Sequence, residues 1–389
     1  MPRPATPSRK KLTAASPPRQ TVLVLQGGGA LGAYQGGVYE ALAAQGHQPD
    51  WVVGTSIGAI NGAIIAGNPP ERRLARLREF WQLVGRDDPL STLATNPFTA
   101  WMAPWLGATE LWQTVAQGIP GFFEPRRSGL LDIHQPVPVH DASFYDTTPL
   151  RRTLEQLVDF DYLNERHVRC TVCAVEVDRG KLVTFDNGHP SRPMGPEHIM
   201  ASGALPPGFP PVMVNGKAHW DGGIYSNTPV DVVMDDAERR DTLCFMIDLW
   251  DPTEAEPRSI SAAMARLKDI QYASRTHEHL EDHRRMQNMR RAIEILAQRL
   301  PAKVRADPDI QRLVKQGCQS TINVVRLIMK ALPGDDHSKD IDFARPRLAR
   351  RWQAGLADAE RALAHKAWLA PVPAHLGLVI HELVQVDQA

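Results

Sequence analysis

Cysteine is scarce. The 389-residue chain holds four, at Cys170, Cys173, Cys244 and Cys318. That excludes a disulfide scaffold and suits a reducing compartment. Charge of one sign is also missing: Lys plus Arg and Asp plus Glu number 44 each. A dedicated nucleic-acid binder is strongly basic, so no nucleic-acid partner is expected. Long hydrophobic runs are missing too. Residues 20–39 and 51–70 lack Asp, Glu, Lys and Arg, but Gln26, Gln35, Thr55, Ser56, Asn61 and many glycines interrupt them. A spanning helix needs about 20 mainly apolar residues. Gly54, Gly58 and Gly62 imitate a membrane dimer spacing, yet they fall where a soluble βα unit wants its breakers. No second C-x-x-C accompanies Cys170 and Cys173, and odd spacing on a strand-like stretch puts these two on opposite faces. Buried packing, not zinc, is their expected role.

The length suggests two or three domains. Residues 1–20 hold five basic residues, five prolines and no acid. No apolar segment follows the charges, so this is not a secretory signal, and it reads as a disordered arm. Without a signal or a span, the expected location is cytoplasmic, with contact at a membrane surface as a further expectation. From Thr21 strands and helices alternate. Thr21–Gln26 is a buried strand ended by three glycines, Ala30–Gln45 a helix, Trp51–Val53 a strand, Ser56–Ala66 a helix of small residues, and Glu71–Val84 an amphipathic helix. Such alternation implies a parallel sheet covered by helices. Pro149–Phe160 reads as helix, Val168–Val177 and Lys181–Phe185 as strands, Glu197–Ala204 as a short helix. Lys217–Trp220 and Thr242–Leu249 read as further strands. After Pro257 strands vanish, and charged amphipathic helices are expected over Ile260–Leu300, Asp309–Ala331 and Pro346–Trp368, with a boundary near 255.

Three motifs could carry chemistry. Gly27-Gly28-Gly29-Ala30-Leu31-Gly32 lies between a strand and a helix and satisfies G-x-G-x-x-G, a weak signal alone. It fits a dinucleotide site with Asp50 as the ribose-binding acid, an oxyanion hole of backbone N–H groups, or a tight turn. Gly54-Thr55-Ser56-Ile57-Gly58, also between strand and helix, reads as a nucleophile elbow. Its glycines leave room for a sharp turn that thrusts Ser56 out. The helix N-terminus favours alkoxide character there, and the Ile57 N–H would face the same pocket. Asp221-Gly222-Gly223 closes a strand-like segment; alone it is an ordinary turn. Ser56 needs a base. No histidine among the 14 stands in a compelling setting. His219, two residues before Asp221, is the one to watch, and its expected role is structural.

In this order the three motifs resemble the patatin-like phospholipase family. Ala201–Pro211 and Asn227-Thr228-Pro229 are similar to that family as well, so the likeness covers about residues 21–250. The resemblance implies a three-layer α/β/α patatin-like sandwich with a mainly parallel sheet. It also implies a Ser56–Asp221 catalytic dyad without histidine or metal, and an oxyanion hole at Gly27, Gly28 and Gly29. Gly54 and Gly58 would flank the nucleophile. The substrates implied are lipid carboxylic esters, with no cofactor. One departure is Leu31, where the family often has Arg or Lys, which removes any inference about an anionic head group. Residues 255–389 resemble the C-terminal α-helical extension of some bacterial members.

The expected layout is therefore an arm over 1–20, a catalytic domain over 21–254 and a helical extension over 255–389. Within 87–147, Trp101, Trp105, Leu106, Leu111, Trp112, Phe122 and Phe123 would form either a local core or a lid over lipid. His277, Glu278, His279, Glu281, Asp282 and His283 match no metal motif and read as a solvated helix face. The preferred function is a lipid acyl hydrolase. The alternatives are a nucleotide-dependent oxidoreductase using Gly27–Gly32, and a non-catalytic regulatory protein of the same fold.

Overall fold

A computed structural model describes residues 20–87, 116–126, 134, 136–188, 191–254 and 256–382. The arm before residue 20 lies outside them, as do Trp101, Trp105, Leu106, Leu111 and Trp112. Strand β1 (Gln20–Leu25) is aliphatic because both its faces are buried, as parallel strands require. Val22 and Val24 enter one hydrophobic layer, and Leu23 and Leu25 the other. The chain continues through α1 (Ala33–Ala44), β2 (Trp51–Thr55), α2 (Ile57–Ala66) and α3 (Pro70–Leu83). A small hairpin, β3 (Glu124–Pro125) with β4 (Tyr145–Asp146), precedes α4 (Thr148–Leu157) and α5 (Phe160–Asn164). Then come β5 (Arg169–Glu176), β6 (Lys181–Asp186), α6 (Pro196–Ser202), β7 (Val212–Val214) and β8 (Lys217–Asp221). Helix α7 (Val230–Met234) leads to β9 (Thr242–Asp248).

The C-terminal region holds α8 (Ile260–Arg299), α9 (Ala302–Arg305), α10 (Pro308–Val314), β10 (Ile322–Ile328), α11 (Arg345–His365) and β11 (Leu378–Glu382). The expected helix over Asp309–Ala331 is thus corrected to one short helix and a strand. The run Ile322–Ile328 is β-branched and buried on both faces, and seven apolar-rich residues do not separate strand from helix by periodicity. The expectation that strands end at residue 257 falls with it.

One nine-stranded sheet runs in the order β11-β10-β9-β1-β2-β5-β8-β7, with β6 also paired to β5. The path from β11 to β5 is parallel, while β6, β7 and β8 join antiparallel. The sheet is thus mainly parallel and helix-covered, and the C-terminal region adds long helices to it. Helix α11 lies against α1 at close range, because a Cβ at Gly36 would meet the Trp352 ring and one at Gly37 the Trp352 carbonyl. Tyr34 Oη donates to Asp358 (2.8 Å) and Trp352 Nε1 to Glu40 (2.6 Å) across the same contact.

Helix α8 docks through residues read as a solvated face. His283 Nε2 lies 2.7 Å from Asp231 Oδ1 and His279 Nδ1 3.2 Å from Asp231 Oδ2. Cys170, Cys173 and Cys244 are buried, and burial pushes each thiol up to about 12, which leaves them as packing groups.

Candidate active site

The sheet register brings two motifs together. Thr55, the last residue of β2, sits opposite Cys173 of β5, and Asp221, the last of β8, sits opposite Ala174, the next residue of β5. Strands lie about 4.8 Å apart, so a two-strand step puts Thr55 and Asp221 roughly 10 Å apart in the backbone, within side-chain reach. Ser56 follows Thr55 directly with φ 55° and ψ −123°. This is a conformation that non-glycine residues rarely adopt. Its neighbours permit it: a Cβ at Gly54 would meet the Gly58 carbonyl, and one at Gly58 would meet the Leu25 carbonyl. The Ser56 N–H donates to the carbonyl (3.1 Å) and hydroxyl (3.0 Å) of Ser202 at the end of α6, which fixes the turn.

The Ser56 hydroxyl and the Asp221 carboxylate line the same cavity, close enough for the hydroxyl to favour the ionised carboxylate. Asp221 is 3% exposed, and burial pushes its carboxyl up to about 7. Two groups oppose the rise: the Gly223 N–H, which donates to Oδ1 at 2.7 Å, and the Ser56 hydroxyl. Gly222 lets the loop hug β5, since a Cβ there would meet the Cys173 carbonyl. His219 points elsewhere. It is buried, its Nδ1 lies 3.0 Å from the Lys217 carbonyl, and its ring meets Phe185 edge-on at 5.3 Å.

The glycine loop leaves β1 beside Ser56. A Cβ at Gly27 would come within 3.1 Å of the Ser56 Cβ. Of the three glycines expected as oxyanion donors, Gly27 donates its N–H to the Asn227 carbonyl (3.2 Å). Its own carbonyl accepts from Asn227 Nδ2 (3.1 Å) and Trp250 Nε1 (2.8 Å), so it anchors the loop. The N–H groups of Gly28 and Gly29 make no hydrogen bond among the described residues, and both glycines line the cavity. Gly29 takes φ +54°, and a Cβ there would meet the Asp340 carbonyl. Buried Gln26, just before the loop, accepts the Leu249 and Trp250 N–H groups and donates to Thr228 (2.7 Å).

Ser56 and Asp221 open into a cavity of about 320 Å³. Phe122, Phe123, Phe209, Phe343, Leu205 and Ile60 make its wall largely apolar. Phe122 and Phe123, expected in a lid or a local core, are each 7% exposed and belong to this wall. The C-terminal region contributes Tyr272 of α8 together with Asp340, Ile341 and Phe343. Sequence reading missed these, as it missed the position of Trp250; no local pattern marks them. Ser202, Leu205, Phe209 and Asn227 fall in the two segments singled out from the sequence, Ala201–Pro211 and Asn227-Thr228-Pro229.

Asp50 does not meet the glycine loop. It precedes β2 at the opposite end of the parallel pair, where its carboxylate accepts the Thr21 N–H (2.7 Å). A dinucleotide site would need that acid at the carboxyl ends of the strands. Among the described residues, no group of three or more His, Cys, Asp or Glu could hold a metal ion, and no helix is long and apolar enough to cross a membrane.

Comparison with known families places a model described as patatin-like phospholipase over residues 23–234, more than half of the chain, and one described as patatin phospholipase over residues 270–375. No curated protein sequence matched. Among solved structures, VipD from Legionella pneumophila is 13% identical over 90% of this chain and 67% of its own, with a TM-score of 0.37. Human GIVD cytosolic phospholipase A2 is 14% identical over 67% of this chain and 45% of its own, with a TM-score of 0.34. The heterodimeric ExoU–SpcU complex from the type III secretion system of Pseudomonas aeruginosa gives 17% identity over 77% of this chain and 58% of that one, with a TM-score of 0.27. The chain thus spans about two thirds of the first and about half of the other two.

Proposed function

The chain belongs to the patatin-like phospholipase family, and from that membership we propose that it is a serine acyl hydrolase of lipid-like carboxylic esters, working through Ser56 and Asp221. The observation that carries the reading is that Ser56, the buried Asp221 carboxylate and the Gly28 and Gly29 backbone, whose N–H groups make no hydrogen bond among the described residues, line one cavity.

In this mechanism the Ser56 oxygen attacks the ester carbonyl carbon while its proton passes to Asp221. The carbonyl oxygen becomes an oxyanion facing the N–H groups of Gly28 and Gly29. Donors already aimed at the developing charge need no reorganisation, and losing one such donor typically costs about 10²–10³ in rate. Collapse expels the alkoxide, which takes the proton from Asp221 and leaves an acyl-serine. Asp221 then draws a proton from water, the hydroxide attacks the acyl carbon, and collapse releases the fatty acid as Asp221 returns that proton to the Ser56 oxygen. A carboxyl raised to about 7 suits both proton transfers, because it exchanges a proton readily near neutrality. The helix α2 N-terminus beside Ser56 further favours negative charge on its oxygen. The apolar wall would take the acyl chain.

The test is labelling with a fluorophosphonate probe together with p-nitrophenyl ester hydrolysis by wild type, Ser56→Ala and Asp221→Ala. Labelling mapped to Ser56, and loss of turnover in both variants, is the expected result. A wild type that neither hydrolyses the ester nor takes the label would leave a non-catalytic protein of this fold. NAD(P)H binding without labelling would favour the oxidoreductase.

A further inference from the structure

Helix α8 reaches the glycine loop by two routes that begin one helical turn apart. Lys268 Nζ donates to the Asp340 carboxylate (2.7 Å) and to the His337 carbonyl (2.9 Å), which ties together both ends of a tight turn. The carbonyl of Asp340 accepts the Ala30 N–H (2.8 Å) and fills the space a Gly29 side chain would occupy. Tyr272, at i+4 from Lys268, supplies the second route. Its carbonyl accepts from Gln26 Nε2 (3.2 Å), and its ring packs against Trp250 at 4.9 Å between centroids. Trp250 Nε1 in turn holds the Gly27 carbonyl (2.8 Å). Residues at i and i+4 share a helix face, so one face of α8 braces the loop on both sides of Gly28 and Gly29.

A backbone donor is effective only where its N–H is held toward the developing charge. Gly29 stands at φ +54° between these two braces, and a glycine has many other conformations open to it. We infer that Lys268 is a positioning residue for the hydrolase: through Asp340 it holds the Gly28 and Gly29 backbone in place as oxyanion donors, so the C-terminal region completes the oxyanion hole. This rests on the hydrolase reading and goes beyond it, because it gives the C-terminal region a part in turnover. Lys268 touches no substrate. Its loss should lower stabilisation of the oxyanion while leaving ground-state binding of the ester alone.

The test compares wild type, Lys268→Met, Lys268→Arg and Asp340→Asn. Each is assayed for kcat and KM on a p-nitrophenyl ester, for inhibition by an alkyl trifluoromethyl ketone, and for melting temperature. The ketone carbon takes the Ser56 oxygen, the proton goes to Asp221, and the ketone oxygen becomes an oxyanion, so its affinity reads the hole directly. The expected result for Lys268→Met is a fall in kcat of about tenfold, a fraction of what losing a whole donor costs. Ketone inhibition should weaken by a similar factor with KM unchanged, and Lys268→Arg should restore both. Asp340→Asn keeps the bracing carbonyl and an acceptor for Lys268 but loses the charge of the pair, and should show a smaller loss of kcat and ketone affinity in the same direction; it carries the test if Lys268→Met melts early. Wild-type kcat and ketone affinity in Lys268→Met, or a loss that tracks only the folded fraction, would overturn the inference. A wild type without turnover or label removes the hydrolase reading itself, and this inference with it.

Discussion

Replacing Asp221 by Asn should abolish turnover and stabilise the fold, and the second effect should depend on pH in a way fixed by the site. Burial raises the Asp221 carboxyl from its ordinary 3.8 to about 7. Between those values the folded protein keeps a proton that the unfolded chain has released, so wild-type stability falls as pH rises through this window. Above about 7 both states are ionised and the loss levels off. Each unit of displacement is worth about 1.4 kcal/mol, so the full rise corresponds to about 4 kcal/mol. Asn has nearly the same shape, can accept the Gly223 N–H as Asp221 Oδ1 does, and carries no charge. The difference in unfolding free energy between Asp221→Asn and wild type should therefore grow in favour of the variant from pH 4 to 7 and plateau at pH 8. Urea unfolding followed by tryptophan fluorescence at several pH values measures it, and every other titrating group cancels in the difference. Over the same range, wild-type kcat/KM should climb through an apparent pKa near 7 as the base ionises. A stability difference that is flat between pH 4 and 8 would refute the claim that desolvation at this carboxyl sets its proton affinity.

The apolar cavity holds about 320 Å³, and at ~30 Å³ for each small group it accommodates roughly ten carbons of an acyl chain. In a p-nitrophenyl ester series from acetate to palmitate, kcat/KM should therefore peak at intermediate chains; a maximum at acetate would show that the wall does not take the chain. At the α8 dock, burial alone would push the Asp231 carboxyl up, but the hydrogen bond from His283 and the two imidazoles together hold it below the ordinary carboxylate range. Its stabilisation is then present above that ordinary range and lost as pH falls through the depressed value. Asp231→Asn should lower stability at pH 5 by about 1 kcal/mol, as for a partly exposed ion pair. The gap should close on acidification, and a gap that persists in acid would sink the assignment.

What could be read from the sequence was whatever backbone geometry imposes on residue type. The Ser56 turn admits only residues without a Cβ at positions 54 and 58, so Gly54 and Gly58 marked it. Asp221-Gly222-Gly223 was legible for the same reason, since the loop presses against the Cys173 carbonyl. Strand β1 was legible because burial on both faces leaves it no polar positions except at its edge. Strand β10 follows the same rule but was read as helix, because its aliphatic run is flanked by charged segments that extend a plausible helical pattern. Gly27 shows a different limit. A glycine triplet signals an open backbone, but which of its N–H groups stays open depends on Asn227, 200 residues away.

The residues that escaped prediction share a physical property: they act through groups every residue type possesses, or through contacts that leave no local pattern. Asp340 meets the glycine loop with its carbonyl, and any residue at that position would present one. Its carboxylate matters only because Lys268 is there to anchor it, and those two positions are 72 residues apart. Tyr272 and Trp250 are ordinary core aromatics until the fold stacks them beside Gly27. The motif-bearing half of the site is thus written in residue types, because it is where the backbone is sharply bent. The half that holds the bend in place is written in topology: β10 and α8 bring Asp340 and Lys268 to the carboxyl end of β1. A glycine-rich loop can be flexible or pre-organised with the same sequence, and what decides between them here lies outside the region that carries the motifs.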